Sequence, residues 1–284
     1  MPQPSREALL EQVQQAFCHA QFGPLPVGVC SFEPLRSRLI PCRAQARLPQ
    51  NTQSVVVVLF PYHVGKQGNL SRYAIVPDYH GVVVPVLEQL AAQLEETFSP
   101  WLFRAFCDNS PVPEVRAAAM SGLGAMGDNG LLIHPEYGSW VFIGEIVTDA
   151  LLEPTGNGFA ECLHCGRCSQ LCPGGALHGT AFDRDRCLSH ITQKKGELRP
   201  QEAALIQENG LAWGCDTCQE VCPLNRTART TQILPFLTGA RETVEKGDAL
   251  RFPDRAYLWR GPKVIERNIK LLLDQPKDSC SQEL

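Results

Sequence analysis

The chain of 284 residues has no long hydrophobic run. Its longest uninterrupted apolar stretch is the six-residue segment Val55–Phe60, whereas a transmembrane helix needs about 20 apolar residues. The first residues, Met1–Glu7, contain no apolar core of a secretory signal. The composition, 44% hydrophobic and 20% charged, is that of a globular protein. We therefore expect a soluble, cytoplasmic protein with no membrane partner.

The chain also has no surplus of basic residues. Residues 1–154 carry 9 basic and 14 acidic side chains, a balance of −5, and residues 155–284 carry a balance of +1, so the net charge is −4. Proteins that bind nucleic acid mainly through phosphates have a basic excess. The balance therefore argues against a large phosphate-binding surface and leaves only local basic patches such as Lys194–Lys195.

Cysteine, by contrast, is abundant, with 13 residues, eight of them between Cys162 and Cys222. Their odd number, their clustering and the missing signal argue against disulfides. Clustered cysteines in a reducing compartment usually bind metal. We expect the scattered ones to be ordinary small residues. These are Cys18, Cys30, Cys42, Cys107 and Cys280.

The clustered cysteines form two runs that end in Cys-Pro. The first has the spacing Cys-x-x-Cys-x-x-Cys-x-x-x-Cys-Pro of bacterial ferredoxins, and the second lacks the first cysteine, for which Cys187 substitutes. In such pairs the cysteine before proline binds the other cluster. The spacing predicts two [4Fe-4S] clusters, one held by Cys162, Cys165, Cys168 and Cys222, and the other by Cys172, Cys187, Cys215 and Cys218. Structural zinc, which prefers two separated pairs, is the alternative.

The first 154 residues alternate between helical and strand-like patterns. Helices are predicted over Ser5–Phe22, Val84–Phe98 and Glu114–Met120, and strands over Ser54–Phe60, Leu131–Ile133 and Trp140–Ile146. This alternation predicts an α/β layer. The turn-rich segment Glu153–Gly158 marks a boundary to a cysteine-rich domain over residues 155–232. Residues 233–284 are expected to form a tail whose last helix, Val264–Leu273, packs back on the core.

Three weaker patterns each have two interpretations. The glycines of Gly122-x-Gly124-x-x-Gly127 follow a predicted helix, so they are no dinucleotide motif, although they would suit another flat cofactor. Asp108 is either a turn or cap residue or a general acid whose pKa apolar neighbours raise. The segments Arg72–Tyr73 and Asp78–His80 are either a surface loop or the wall of a pocket.

Together these segments resemble the epoxyqueuosine reductase family, cobalamin- and iron–sulfur-dependent enzymes akin to reductive dehalogenases. The resemblance covers residues from about 50 to 270 and includes both cysteine runs with Cys187. The other matching segments are Ser71–Ala74, Asp78–His80, Asp108 with Pro111 and Glu114, Gly122–Gly124, and Pro135–Ile146. The block from Gly138 to Glu145 is more specific than the cysteine runs, which many ferredoxin-like proteins share.

The resemblance implies an α/β cobalamin-binding domain, of the reductive-dehalogenase and nitroreductase kind, followed by a two-cluster ferredoxin-like domain. It implies an oxidoreductase that passes electrons from a donor such as flavodoxin or ferredoxin through the clusters to cobalt. In the family this reduces epoxyqueuosine in tRNA, the last step of queuosine biosynthesis. Asp108 matches the proton donor. The cofactor-binding residues implied are Arg72, Tyr73, Asp78, His80, Gly122, Gly124, Gly138 and Ser139. We expect a monomer.

Three features depart from the family. Asp128 stands where members usually have lysine or histidine, Val115 stands where longer members have a basic residue, and the chain stops without a C-terminal helical-repeat extension. With the charge balance, these departures count against tRNA as a partner more than against the cofactors. Two alternatives follow. The same cofactors would act on a small organic epoxide or halide, or the protein would be an electron carrier that reduces a corrinoid elsewhere.

Overall fold

The computed structural model describes residues 3–65, 68–156, 160–179 and 181–274. In these ranges the helices are α1 (Arg6–His19), α2 (Glu33–Arg36), α3 (Arg72–Ile75), α4 (Tyr79–Thr97), α5 (Glu114–Met120), α6 (Arg167–Gln170), α7 (Leu188–Thr192), α8 (Pro200–Asn209), α9 (Thr217–Glu220), α10 (Leu234–Thr238), α11 (Asp248–Arg251) and α12 (Pro262–Leu273). The strands are β1 (Val27–Ser31), β2 (Ser54–Pro61), β3 (Phe103–Cys107), β4 (Ala125–Met126), β5 (Leu132–Ile133), β6 (Val141–Thr148), β7 (Ala160–Glu161), β8 (Leu177–His178) and β9 (Ala181–Phe182). Among these helices none is long and apolar enough to cross a bilayer.

The centre of the fold is a four-stranded sheet in the order β1-β2-β6-β3. Every neighbouring pair is antiparallel, and in the central pair Val55 lies opposite Val147. The two predicted strands that carry the most apolar residues are confirmed as β2 and β6. The edge strands β1 and β3 were not among the predicted ones, because their short segments lack a continuous apolar run.

Helices cover both faces of this sheet. Because neighbouring residues of a strand point to opposite faces, Val56 and Val58 pack with α1 and α4, whereas Val55 and Val57 pack with α5. All four side chains are fully buried, and each such burial stabilises the fold by roughly 1.5–3 kcal/mol. The predicted α/β layer is therefore an antiparallel sheet between two helical layers.

Polar side chains cap the first turns of α1 and α4. Ser5 caps α1 as expected, since its hydroxyl accepts a hydrogen bond from the Ala8 N–H at 3.3 Å. Helix α4 begins at Tyr79, earlier than predicted, because the Asp78 side chain caps it by accepting from the His80 N–H at 3.0 Å. The prediction that Asp78–His80 form a loop is therefore wrong, since Asp78 caps α4 and the next two residues begin its first turn.

The C-terminal part of the chain packs on both preceding parts. Phe236 of α10 joins the core between the sheet and α4. Ile265 of α12 packs with Ile75 of α3 and with Trp213, which lies just before the second cysteine run. This contact fixes α3 against the cysteine-rich segment, and the Ser71 N–H also donates to the Trp213 carbonyl at 2.8 Å.

Candidate active site

The eight clustered cysteines lie around two cavities. The first, called here the Cys162 cavity, is lined by Cys162, Cys165, Cys168 and Cys222. The second, the Cys187 cavity, is lined by Cys172, Cys187, Cys215 and Cys218. Cys218 borders both cavities, and all eight residues are free thiols. The structure therefore brings the eight cysteines to two neighbouring cavities, with Cys218 in the lining of both.

Hydrogen-bond donors surround the sulfur atoms of the Cys187 cavity. The Ala176 N–H donates to the Cys172 sulfur at 3.2 Å, and the Thr217 hydroxyl oxygen lies 3.4 Å from the Cys215 sulfur. Hydrogen bonds to sulfur are among the features that set the potential of an iron–sulfur cluster. The two thiol sets and these donors fit two four-iron clusters.

Gly138 and Ser139 connect the cysteine-rich segment to β6. The Ser139 N–H donates to Asn225 Oδ1 at 2.8 Å, and its hydroxyl donates to Gln219 Oε1 at 2.9 Å. Gly138 has a φ of 57°, and a Cβ atom there would lie 2.2 Å from Asn225 Oδ1. Only glycine permits this approach. Ser139 also lines the Cys187 cavity, so it faces a cofactor site while holding two segments together.

A larger cavity of about 860 Å³ adjoins the Cys187 cavity, and its size is typical of a ligand site. We call it the Asp108 cavity. Tyr73 and Ser189 line both cavities, so the cavity that contains Asp108 shares part of its wall with the cavity of the second cysteine set. The full lining is Tyr73, Asp78, Tyr79, His80, Asp108, Asn109, Ser189, Gln193, Ala256 and Trp259. Four of the predicted site residues are thus brought together.

The carboxyl group of Asp108 is held by two aromatic side chains. Asp108 follows β3 in the left-handed backbone region, with a φ of 51°. The Tyr79 hydroxyl donates a hydrogen bond to its Oδ2, and His80 Nε2 lies 3.6 Å from the same oxygen. His80 Nδ1 lies 2.8 Å from Asp78 Oδ1, so the imidazole bridges two carboxyl groups.

Burial and the charge of Asp78 raise the pKa of Asp108 above its usual value. Burial of Asp78 itself is outweighed by the hydrogen bonds from His80, which lower the pKa of that carboxyl. The pKa values of these two neighbouring carboxyl groups therefore move in opposite directions. Such a difference is typical of a site in which one carboxyl group donates a proton and the other stays charged. Asp108 is suited to donate a proton, and Asp78 is suited to orient His80.

Two further carboxyl groups lie behind Asp108. Glu114, the first residue of α5, and Asp108 both line a cavity of about 100 Å³, called here the Glu114 cavity. Burial and the charge of Asp108 raise the pKa of Glu114 to about 7. Glu145 on β6 is fully buried and accepts a hydrogen bond from the Ser110 hydroxyl, and burial raises its pKa well above the usual value. Neither Glu114 nor Glu145 was predicted as a site residue, although both fall in the segments that resemble the family.

Four of the predicted cofactor-binding residues, namely Gly138 described above and Arg72, Gly122 and Gly124, are absent from the linings of these cavities in the described part of the chain. The guanidinium of Arg72 donates to Glu220 at 3.1 Å and lies over the Trp140 ring, 5.1 Å from its centroid. Its side chain thereby joins α3 to α9. Gly122 and Gly124 follow α5 and precede β4, which agrees with the rejection of a dinucleotide motif. A Cβ atom at Gly124 would lie 2.4 Å from the Ile133 carbonyl oxygen, so this glycine permits a close backbone contact.

Sequence reasoning did not find the aromatic residue at the rim of the Asp108 cavity. Trp259 is 57% exposed, and its indole N–H donates to Gln193 Oε1 at 3.1 Å. The Arg260 guanidinium lies over the ring, 3.6 Å from its centroid. Trp259 lies far from Asp108 along the chain, and no local pattern connects the two.

Comparison with known proteins identifies the family. One family model, described as "4Fe-4S double cluster binding domain", matches residues 161–225, and another, described as "Epoxyqueuosine reductase QueG, DUF1730", matches residues 43–109. A curated epoxyqueuosine reductase from Synechocystis sp. is 35% identical over 198 residues, which cover 66% of this chain and 68% of that protein. The chain belongs to the epoxyqueuosine reductase family. It spans 63, 59 and 50% of the length of three other curated family members.

Solved epoxyqueuosine reductases share the fold. One, determined with a tRNA-Tyr epoxyqueuosine-modified stem loop, superposes with a TM-score of 0.77 over 93% of this chain and 81% of that chain, at 23% identity. Another, from Bacillus subtilis and described with its catalytic aspartate loop swung out of the active site, has a TM-score of 0.72 over 93% and 82% of the two chains, at 24% identity. The mixed α and β architecture with a ferredoxin-like cluster domain, expected from the sequence, is confirmed at this level.

Proposed function

We propose that this protein reduces the epoxide of epoxyqueuosine in tRNA to the alkene of queuosine, with two [4Fe-4S] clusters and cobalamin as cofactors. One observation carries this proposal: in a chain of this family, a carboxyl group of raised pKa lies in a ligand-sized cavity that adjoins a four-cysteine set. The tRNA stem loop bound to a family member of the same fold supports the substrate.

The two cysteine sets would hold the clusters as the spacing predicts. Cys218 borders both cavities, so clusters bound in them would lie side by side, which suits electron transfer between them. An external donor such as flavodoxin or ferredoxin would supply electrons. Because cysteines that are to bind clusters must not be oxidised to disulfides, we place the protein in a reducing compartment, the cytoplasm. We assign cobalamin and substrate to residues 1–154, the clusters to residues 155–232, and closure of the Asp108 cavity to residues 233–284.

The space between Asp108 and the second cysteine set fits a large flat cofactor. Tyr73 and Ser189 line the passage between the two cavities, and Tyr62 and Phe142 form an apolar wall of the Cys187 cavity. These four residues would hold the corrin, with Ser139 as a polar contact on the same wall. Cobalamin, when bound there, supplies a strongly reducing cobalt centre that the clusters recharge.

The protein's own part in the chemistry is to supply protons and hold groups in place. Opening an epoxide leaves a negatively charged oxygen, which needs a proton from a nearby acid. Asp108 would give that proton, while the Tyr79 hydroxyl and the His80 imidazole fix the direction of its carboxyl. The left-handed backbone of Asp108 and Asn109 carries this group on a short loop, the kind of element that is mobile in the Bacillus subtilis relative.

The rim of the Asp108 cavity favours an RNA substrate over a small organic molecule. Proteins that recognise single-stranded RNA stack exposed bases on aromatic rings and on guanidinium planes. Trp259, with Arg260 over its ring, offers such a surface beside the cavity that holds Asp108. A small epoxide or halide would leave the exposed Trp259 ring without a role.

Cofactor loading tests the proposal. The protein is reconstituted anaerobically with iron and sulfide, mixed with cob(II)alamin, and measured by iron assay and electron paramagnetic resonance. We expect about eight irons per chain, as two cubanes require, and a cobalt signal that differs from that of free cob(II)alamin. Iron without bound cobalamin would overturn the cofactor assignment and, with it, the role of Asp108.

A further inference from the structure

The proposed reaction needs more protons than Asp108 holds. Conversion of an epoxide to an alkene consumes two electrons and two protons, breaks both C–O bonds of the ring and releases one water molecule. The bound cofactors would supply the electrons, and Asp108 carries one proton. Besides the Asp108 cavity, Asp108 lines a cavity of about 360 Å³ and the smaller Glu114 cavity. The second carboxyl group of the Glu114 cavity is placed to supply the other proton.

We propose that Glu114 supplies this second proton, passing it to Asp108 through the Glu114 cavity. This inference rests on the proposed function. Glu114 acts through Asp108 and does not touch the substrate, so it is a positioning and proton-storing residue. After the first C–O bond breaks, the Asp108 carboxylate takes the proton of Glu114 and gives it to the oxygen that leaves as water.

The Glu114 cavity has the size and the lining that this path needs. Its volume of about 100 Å³ is enough for ordered water, which needs roughly 10–15 Å³ of accessible volume and two or more polar partners. Asp108, Glu114 and Ser139 offer those partners. The rest of its lining is apolar, namely Val115, Leu131, Leu132, Val141, Phe142 and Ile143. Water there would connect the two carboxyl groups.

Glu145 keeps the far side of Glu114 neutral. Its side chain is 1% exposed, Oε2 accepts from the Ser110 hydroxyl, and Oε1 has no hydrogen-bond partner in the described part of the chain. A buried carboxylate with an unpaired oxygen is costly, so this group stays protonated. It therefore retains its own proton and does not take the one that Glu114 stores.

Burial and the charge of Asp108 both raise the pKa of Glu114. The Asp108 carboxylate disfavours ionisation of Glu114, and the Cys107 thiol on β3 and the Glu145 carboxyl on β6 remain protonated beside it. Asp78 acts beyond Asp108. With its pKa near 7, Glu114 holds a proton in a large fraction of molecules at neutral pH. The transfer to Asp108 is drawn forward by the second C–O cleavage, which consumes the proton.

The first measurement needs no turnover. Infrared difference spectra of the cluster-loaded protein, recorded across pH, should show a carboxyl group that titrates near pH 7 in the wild type and in Glu96→Gln. Glu96 is an exposed residue of α4 and provides the same chemical change away from the site. The Glu114→Gln variant should lose the Glu114 component and keep only the titration of Asp216, a buried carboxyl whose pKa is also raised to about 7. In Asp108→Asn the Glu114 component should move to lower pH, because the neighbouring charge is lost. Spectra that Glu114→Gln leaves unchanged would overturn the inference.

The second measurement is turnover on epoxyqueuosine-containing tRNA against pH. For the wild type we expect the rate to fall above about pH 7 as Glu114 loses its proton. Glu114→Gln should lower kcat by about tenfold or more and abolish this alkaline limb, whereas Glu114→Asp should restore part of the rate. An active wild type whose rate and pH profile Glu114→Gln leaves unchanged would overturn the relay alone. A wild type that binds both cofactors but reduces no epoxide would overturn the proposed function and the relay with it.

Discussion

The phenol of Tyr79 donates a hydrogen bond to the carboxyl of Asp108, while its ring stacks on Phe142 with the centroids 4.1 Å apart. Tyr79→Phe keeps the stacking and removes only the donor. We expect kcat to fall by roughly 10- to 100-fold, since a hydrogen bond to a charged group contributes about 1.5–3 kcal/mol. Because that bond favours the charged carboxylate, its loss should also raise the pKa of Asp108 further. The pH dependence of kcat measures both effects, and an unchanged rate would show that Tyr79 has no part in directing Asp108.

Cys187 is the ligand that the second cysteine run lacks in sequence, and it lines the same cavity as Cys215 and Cys218. Cys187→Ser should impair one cluster and leave the other, so iron should fall from about eight toward about four per chain. Iron assay and electron paramagnetic resonance of the reduced protein measure this loss. Cys18→Ser changes an exposed scattered thiol and should retain the full iron content. Loss of both clusters in Cys187→Ser, with normal loading in the control, would contradict independent ligand sets.

Asp128 lies beside the Cys162 cavity, and one of its carboxylate oxygens is within 4.8 Å of the Cys162 sulfur. A negative charge at this distance disfavours adding an electron to a cluster bound there. Asp128→Asn should therefore shift the potential of that cluster in the positive direction and affect the other cluster less. An anaerobic redox titration followed by electron paramagnetic resonance measures both potentials. Asp254→Asn, at an exposed carboxylate, is the matched control, and equal shifts in both variants would contradict a local effect.

Trp259 lies at the rim of the Asp108 cavity, where we propose that it stacks on an RNA base. Trp259→Ala should weaken binding of an epoxyqueuosine-modified tRNA stem loop by about 5- to 100-fold, since stacking contributes about 1–3 kcal/mol per base. Cobalamin binding should stay unchanged. Fluorescence titrations at two salt concentrations would separate the stacking loss from phosphate contacts, which weaken as salt rises. Stem-loop affinity equal to that of the wild type would remove Trp259 from the substrate site.

The sequence predicted best what depends on local spacing. The cysteine runs predicted two ligand sets, and the structure brings the eight cysteines to two neighbouring cavities that share Cys218. The central strand β2 was equally clear from its continuous apolar residues. The start of α4 was placed too late, since the apolar stripe that predicts it begins after Asp78 has already capped the first turn.

Local sequence patterns could not predict contacts between residues that lie far apart in the chain. Trp259 and Asp108 line one cavity although α5, β6 and both cysteine runs lie between them in the chain. Glu145 resembles an ordinary polar residue of a strand, and only the fold shows it to be buried against Ser110. Arg72 has the charge and position expected of a pocket residue, yet its partners are Glu220 and Trp140.

The central claim is tested most directly by turnover with a defined substrate. The reconstituted protein, with cobalamin and a low-potential reductant, is incubated anaerobically with epoxyqueuosine-containing tRNA, which is then digested for nucleoside mass spectrometry. We expect epoxyqueuosine to be replaced by queuosine, which has one oxygen atom less. Asp108→Asn should bind both cofactors and lose about 100-fold or more of the rate, as expected on removal of a general acid. Unchanged epoxyqueuosine with the fully loaded wild type, or full activity of Asp108→Asn, would contradict the account.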